Sequence, residues 1–155
     1  MSKNLPINTL IELAEEELDN ATKKLGKLQQ ERNEIETQLD ALVTYRDEYH
    51  ARFTASAQQG TTAQTLRNFQ AFVDTLDSAI AQQRTLLLMA DQRIEAAKPD
   101  WRLKKQKLGS YEVLAARGEA ILAKKAARVE QRESDELYRT FCETLKIKAL
   151  SNQTE

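Results

Sequence analysis

Apolar residues recur every three or four positions from Ile7 to Phe53, and this period limits the chain to very few folds. Stepping alternately by four and three from Ile7 gives fourteen positions, of which twelve are apolar. The exceptions, Arg32 and Arg46, have long stems that can lie along an apolar surface while the guanidinium reaches water. Such a heptad predicts a long helix that packs one stripe against another helix. The positions of this first ladder are Ile7, Ile11, Ala14, Leu18, Ala21, Leu25, Leu28, Arg32, Ile35, Leu39, Leu42, Arg46, Tyr49 and Phe53.

A second ladder with the same period begins at Leu66 and ends at Leu122. Fourteen of its seventeen positions are apolar, and beyond Leu122 the period fails. This predicts a second helix whose apolar stripe matches the first. Its positions are Leu66, Phe69, Val73, Leu76, Ile80, Gln83, Leu87, Ala90, Ile94, Ala97, Trp101, Lys104, Leu108, Tyr111, Ala115, Gly118 and Leu122.

Between the ladders, residues 55–65 are small and polar, with Gly60 at their middle. They form the one convincing loop signal in the chain. A reversal there would make the two stripes antiparallel, so that facing residues have numbers with a constant sum. A sum of 122 matches every rung, sets Phe53 against Phe69, and sets the largest side chain, Trp101, against Ala21.

The predicted fold is therefore all-α, a long two-helix antiparallel coiled-coil hairpin whose second helix is longer. We expect one coiled-coil domain over residues 1–155, with helix one at about 6–54, the turn at about 55–65, helix two at about 66–140, and a frayed tail at 141–155. The ladder keeps its phase across Pro99, which favours a possible kink over a break that would make a three-helix bundle. Helix one could start with Pro6 in its first turn or with a capping box at Thr9 and Glu12.

Charge is nearly balanced overall but uneven along the chain. The net charge is −1, which argues against a dedicated nucleic-acid binder. Residues 9–49 hold eleven acidic and five basic side chains, a net of −6, whereas residues 98–132 hold four acidic and ten basic, a net of +6. The two regions should attract each other when the helices lie side by side. The single cysteine, Cys142, fits a reducing compartment, and no apolar run approaches a membrane span. The expected protein is therefore cytoplasmic, or is held at a membrane by a partner.

No pattern in the chain predicts a catalytic site, a metal site, a cofactor or a small-molecule substrate. A two-helix hairpin offers no dry interior in which reacting groups could converge. The sequence contains no P-loop, no G-x-G-x-x-G and no C-x-x-C motif, and the only histidine, His50, has no second metal ligand near it. The chain is therefore not expected to be an enzyme.

Two aromatic residues, Tyr45 and Phe72, lie outside both ladders. Together with ladder members they form two short stripes that lie side by side with a sum of 121. Exposed aromatic side chains on a charged helix pair indicate a docking patch for a protein partner. The alternative is that the apolar contact between the helices is simply wider near the turn. The two stripes consist of Gln38, Leu42, Tyr45 and Tyr49 on helix one, and of Phe72, Leu76, Ala79 and Gln83 on helix two.

The order of several stretches resembles the FliJ family of the bacterial flagellar type III export apparatus. The resemblance covers almost the whole chain. It is carried by LAEEELDNA at 13–21, LG at 25–26, YRDEY at 45–49, FVDTLDSAIAQQR at 72–84 and WRLKKQKL at 101–108, with Gly60 in the turn.

This resemblance implies a fold similar to the central stalk of rotary ATPases and a role in flagellum biogenesis and motility. Family members bind the hexameric export ATPase and promote its assembly, bind the cytosolic part of the membrane export gate, and help to hand on export chaperones. The implied location is cytoplasmic, with recruitment to the cytoplasmic face of the inner membrane at the flagellar base. Through the matched stretches, the family's gate-binding positions fall on the eight residues of the two stripes, although the family often has histidine where Gln83 stands.

A contact with the ATPase is expected in the basic region, where Arg102 and Lys105 would face acidic loops of the ring. Two other functions fit the same architecture. One is the equivalent stalk of a virulence type III secretion system, and the other is a generic structural rod that assembles with itself.

Overall fold

A computed structural model describes residues 5–153 and the side chains of residues 6–153. It contains two helices, α1 (Leu5–Ala57, 53 residues) and α2 (Ala63–Ser151, 89 residues). The described residues include no strand. The helices pack against each other in antiparallel orientation, so the predicted all-α hairpin with a longer second helix is confirmed.

Burial follows the two ladders. Every position of the first ladder is buried or half-buried, and so is every position of the second except its two ends, Leu66 and Leu122. The most deeply buried side chains are Ile80, at 1% exposure, and Ala14, at 2%. Each helix buries one apolar stripe against the other helix. We call the contact between these two stripes the seam.

Contacts across the seam confirm the predicted register. The rings of Phe53 and Phe69, a predicted rung, stack with centroids 3.8 Å apart. The other cross-helix contacts join residues whose numbers sum to between 117 and 124. Trp101 Nε1 donates a hydrogen bond to Thr22 Oγ1 at 2.9 Å, which satisfies the indole N–H beside Ala21.

The turn is shorter than predicted but lies within the predicted segment. Gly60 has a φ of 101°, a conformation that suits glycine, and its N–H donates to the Ala57 carbonyl at 3.0 Å, which ends α1. Thr62 caps α2, because its Oγ1 accepts a hydrogen bond from the Thr65 N–H at 3.1 Å. Helix two therefore begins three residues before Leu66, where its apolar ladder begins.

The helix ends differ from the predicted ones. Because α1 begins at Leu5, Pro6 lies in its first turn and Thr9 lies inside the helix. Helix two was expected to end near residue 140 but continues to Ser151. No glycine or proline follows Gly118, and the last residues are mostly good helix formers, so nothing stops the helix where the ladder fails. The last two residues of the expected frayed tail, 154–155, lie outside the described residues.

The helix is also continuous through Pro99, and a kink there is not confirmed.

The chain divides into two compact units. One unit, Leu13–Lys107, contains the turn and all six of the buried apolar side chains in the described residues: Ala14 on α1, and Val73, Leu76, Ile80, Ala90 and Ile94 on α2. The other unit is described over residues 5–12 and 108–153. Within it, every side chain from residue 119 to 151 is exposed except the half-buried Cys142.

Candidate docking surface

The eight residues of the two stripes form one surface, which we call the docking patch: Gln38, Leu42, Tyr45, Tyr49, Phe72, Leu76, Ala79 and Gln83. Facing turns of α1 and α2 bring its two halves together. At one end, Gln83 Nε2 donates a hydrogen bond to Gln38 Oε1 at 2.9 Å. At the other end, the Tyr49 and Phe72 rings meet edge to face with centroids 4.6 Å apart. Both pairs have the sum of 121 that the sequence predicts for the stripes.

The aromatic end of the docking patch is held together by ring contacts. Tyr45 stacks on Tyr49, with centroids 6.4 Å apart, and meets the edge of Phe72 at 6.2 Å. Tyr49 also stacks on Phe69 at 5.3 Å. Aromatic pairs at these separations contribute about 0.5–1.5 kcal/mol each beyond the area that they bury. The rings are therefore positioned by one another and not left free on the surface.

Exposure separates the two interpretations of Tyr45 and Phe72. Leu76 is 7% exposed and belongs to the core of the seam. Phe72 is half-buried against two tyrosine rings, so the seam is indeed wider at this residue. Tyr45, in contrast, is 43% exposed. The wider seam accounts for Phe72, whereas Tyr45 presents a large apolar side chain to solvent.

Gln83 is the polar end of the patch and occupies a seam position. Its Nε2 donates to the Ile35 carbonyl at 3.2 Å as well as to Gln38. These bonds satisfy a polar group that would otherwise be costly to place between two helices. Gln83 therefore fixes the register at this point of the hairpin.

The aromatic contacts extend past the docking patch toward the turn. Phe69 stacks on Phe53, and the edge of His50 meets the Phe69 ring at 5.2 Å. In the sequence pattern, Phe53 and Phe69 are rungs of the ladders and His50 is an isolated histidine. The sequence does indicate an aromatic cluster near the turn, since five of the nine aromatic residues lie in the segment from Tyr45 to Phe72.

The basic region on α2 presents Arg102 and Lys105 to solvent. Lys105 Nζ lies 5.1 Å from the centroid of the Trp101 ring, a cation–π distance. The neighbouring lysines are turned toward α1, where Lys104 and Lys107 both reach Glu17, at 3.5 and 3.3 Å. The hydrogen bond from Lys107, and then the charge of Lys104, lower the pKa of Glu17.

Among the cross-helix ion pairs of residues 6–153, only those of Glu17 show the expected attraction between the acidic and basic regions. The other two pairs have the opposite polarity, with arginine on α1 and aspartate on α2. Arg32 Nε bonds Asp91 at 2.9 Å and Arg46 bonds Asp77 at 3.2 Å. These are the two seam arginines, and the hydrogen bonds with Asp91 and Asp77 raise their guanidinium pKa values. Their stems lie in the seam and their charged ends reach its edge, as predicted.

Within residues 5–153, no group of three or more His, Cys, Asp and Glu side chains is arranged to hold a metal ion. Neither helix, over the same residues, has a segment that is both long and apolar enough to cross a membrane.

The fold and the ring contacts define a class, that of two-helix antiparallel coiled-coil proteins with a partly exposed aromatic cluster. Sequence comparison gives the family. A family model described as "Flagellar FliJ protein" matches residues 2–140. The "Flagellar FliJ protein" of Salmonella typhi is 32% identical over 136 residues, which cover 88% of this chain and 92% of the relative. The protein of the same name from Escherichia coli K12 matches with the same identity and coverage. The chain belongs to the flagellar FliJ family.

Proposed function

We propose that this chain is a non-enzymatic stalk of the flagellar protein export apparatus. In this role it binds the hexameric export ATPase and promotes its assembly. It also binds the cytosolic part of the membrane export gate, couples the two, and takes part in handing on export chaperones. It is cytoplasmic and is recruited to the cytoplasmic face of the inner membrane at the flagellar base. Membership of the FliJ family supports the flagellar export role, and the two alternatives, a virulence stalk and a generic rod, are favoured by no observation.

The observation that carries the gate contact is the exposed ring of Tyr45 on a rigid aromatic base. A side chain held by Tyr49 and Phe72 loses little conformational freedom when a partner covers it. Tyrosine at such a position is a frequent hot spot, whose truncation costs about 2 kcal/mol or more of binding free energy.

The test replaces Tyr45 with alanine. Since the ring is 43% exposed, the cost to folding should be below about 1 kcal/mol, whereas affinity for the purified cytosolic domain of the gate should fall about tenfold or more. Swimming in soft agar should slow accordingly. Leu88→Ala is the matched control, because it removes a 59% exposed apolar side chain outside the docking patch. Full gate binding by a folded Tyr45→Ala protein would remove the patch from the proposal.

The ATPase contact is assigned to Arg102 and Lys105. Both are exposed and both lie on the basic part of α2, so they can meet acidic loops of a ring. Reversing both to glutamate should lower stimulation of the ATPase and leave helicity unchanged. The matched control reverses Lys125 and Arg128, which are also exposed and also three residues apart. If the two double variants lower ATPase stimulation equally, the net charge of the chain is responsible, and Arg102 and Lys105 make no specific contact.

A further inference from the structure

The C-terminal part of α2 carries an apolar stripe that the proposed function does not use. Four of its side chains are large and 50–73% exposed. At 100° per residue, its members lie on one face of the helix, within about 140° of arc. We call these residues the C-terminal stripe: Leu137, Tyr138, Phe141, Cys142, Leu145 and Ala149.

This stripe is not a continuation of the seam. The period of the second ladder, carried on past Leu122, reaches Glu136, and Tyr138 is turned about 200° from that position. The register also sets the start of α1, at residue 5, opposite residue 117. On this register, none of the described residues of α1 lies opposite the stripe. Four of the six residues of the stripe lie beyond residue 140, where the match to the family model ends.

Charges around the stripe are arranged in two blocks. Residues 130–136 hold four acidic side chains and one basic, a net of −3, whereas residues 137–150 hold three basic and one acidic, a net of +2. A second copy lying parallel would set each block against itself. A second copy lying antiparallel sets the acidic block of each chain against the basic block of the other.

We propose that the C-terminal stripe binds a second copy of this chain in antiparallel orientation. In the pairing that layers Tyr138 of each copy on Phe141 of the other, the facing numbers sum to 279. Asp135 then lies near Lys146 of the second copy along one side of the stripe, and Glu133 lies near Lys148 of the second copy along the other side. The residue numbers in each of these charge pairs sum to 281, two more than the 279 of the facing apolar residues. The ion pair of Glu17 and Lys107 has the same offset in the hairpin, because its numbers sum to 124 and those of the seam to 122.

The central test measures self-association of the full chain by sedimentation equilibrium from low to high micromolar concentration. Leu145→Asp places a charge in the stripe and should weaken association roughly tenfold or more. Ile147→Asp is the matched control, since Ile147 is 68% exposed and lies on the opposite face of the helix. It should leave association within about twofold of the original chain. Circular dichroism must show equal helicity for both variants.

The charge blocks are tested by exchange. Changing Lys146 and Lys148 to glutamate should abolish self-association, and so should changing Glu133 and Asp135 to lysine in a separate variant. A mixture of the two variants should associate, because every charge pair is then opposite in sign. Failure of the mixture to associate would exclude this pairing.

Cys142 reports the orientation. In the antiparallel pairing the two Cys142 residues are separated along the helix by five residues, roughly 7.5 Å, which is too far for a disulfide without movement. A bismaleimide should therefore join them and mild oxidation should not. Efficient oxidation to a disulfide-linked dimer indicates a parallel pair and overturns the proposal. It is also overturned if the chain stays monomeric, whether or not the stripe then binds anionic vesicles or another protein, or if Leu145→Asp and Ile147→Asp act alike.

Discussion

The residues on either side of the turn and the C-terminal part of α2 contain similar side chains in opposite situations. Near the turn, Phe53, Phe69 and Tyr49 lie against one another across the two helices. In the C-terminal part, Tyr138 and Phe141 are 72% and 62% exposed. Both regions are helical, so what differs is the presence of a helix with a matching apolar stripe. Burial of the apolar residues in this chain is decided by register and not by residue type.

The difference should appear first in stability. Ile80 is 1% exposed, so Ile80→Ala removes buried methyl groups and leaves space in the seam, at a cost of about 3 kcal/mol. Leu137, at 73% exposure, should cost less than about 0.5 kcal/mol when replaced by alanine. Urea unfolding followed by circular dichroism measures both. Similar costs for the two variants would mean that the C-terminal part is covered in solution, as a second copy would cover it at high concentration.

The seam could be predicted closely because its signal is periodic and dense. Each rung follows from a heptad position, and a sum of 122 follows once Gly60 is taken as the turn. The helix ends could not be predicted equally well, since the ladder marks packing and not helicity. Thr62 caps α2 before the ladder begins, and α2 continues past Leu122, where the ladder has ended.

The sequence predicts that the eight positions of the docking patch lie together on one surface, but it does not predict how exposed each side chain is. Tyr45 and Phe72 each lie one step beside a rung, and their sequence positions are equivalent. In the structure Phe72 turns toward Tyr49 and becomes half-buried, whereas Tyr45 stays exposed. Side-chain packing decides this difference, and the heptad contains no information about it. The ion pairs have the same limit, because regional net charge does not say which side chains meet.

The turn gives the next largest effect, and two glycines should respond with opposite signs. Gly60 has a φ of 101°, so Gly60→Ala places a Cβ in an unfavourable conformation and should cost about 1 kcal/mol. Gly26 lies inside α1, and a Cβ there would meet no atom within 4 Å. Gly26→Ala should therefore stabilise the hairpin by about 0.5–1 kcal/mol through helix propensity. Thermal unfolding of both variants checks the signs, and two shifts in the same direction would contradict the assigned turn.

The cap of α2 should have an effect of similar or smaller size. Thr62→Ala removes the hydroxyl that accepts from the Thr65 N–H, at a cost of about 1 kcal/mol. Thr62→Ser keeps an accepting hydroxyl and is the matched control. Urea unfolding should show a loss only for alanine. Equal losses for alanine and serine would mean that the methyl group, and not the cap, is responsible.

The smallest effect is expected at the edge of the seam, where Glu17 meets Lys107 and Lys104. These lysines lower the pKa of Glu17 in the folded chain, so the unfolded chain binds the proton more tightly. The stabilisation is therefore present above the ordinary glutamate pKa, about 4.3, and is lost as the pH falls through the lower pKa of the folded state. Glu17→Gln should lower the unfolding temperature at pH 7, and the difference should shrink as the pH falls through the lowered pKa of Glu17 and its carboxylate takes up a proton. Salt should shrink the difference at pH 7, because the group is exposed to solvent.

Glu16→Gln removes a charge from an exposed side chain in the same turn and is the control. If Glu16→Gln and Glu17→Gln shift the unfolding temperature alike at every pH, the charge of α1 as a whole is responsible, and the pairing of Glu17 with Lys107 adds nothing to the stability of the hairpin.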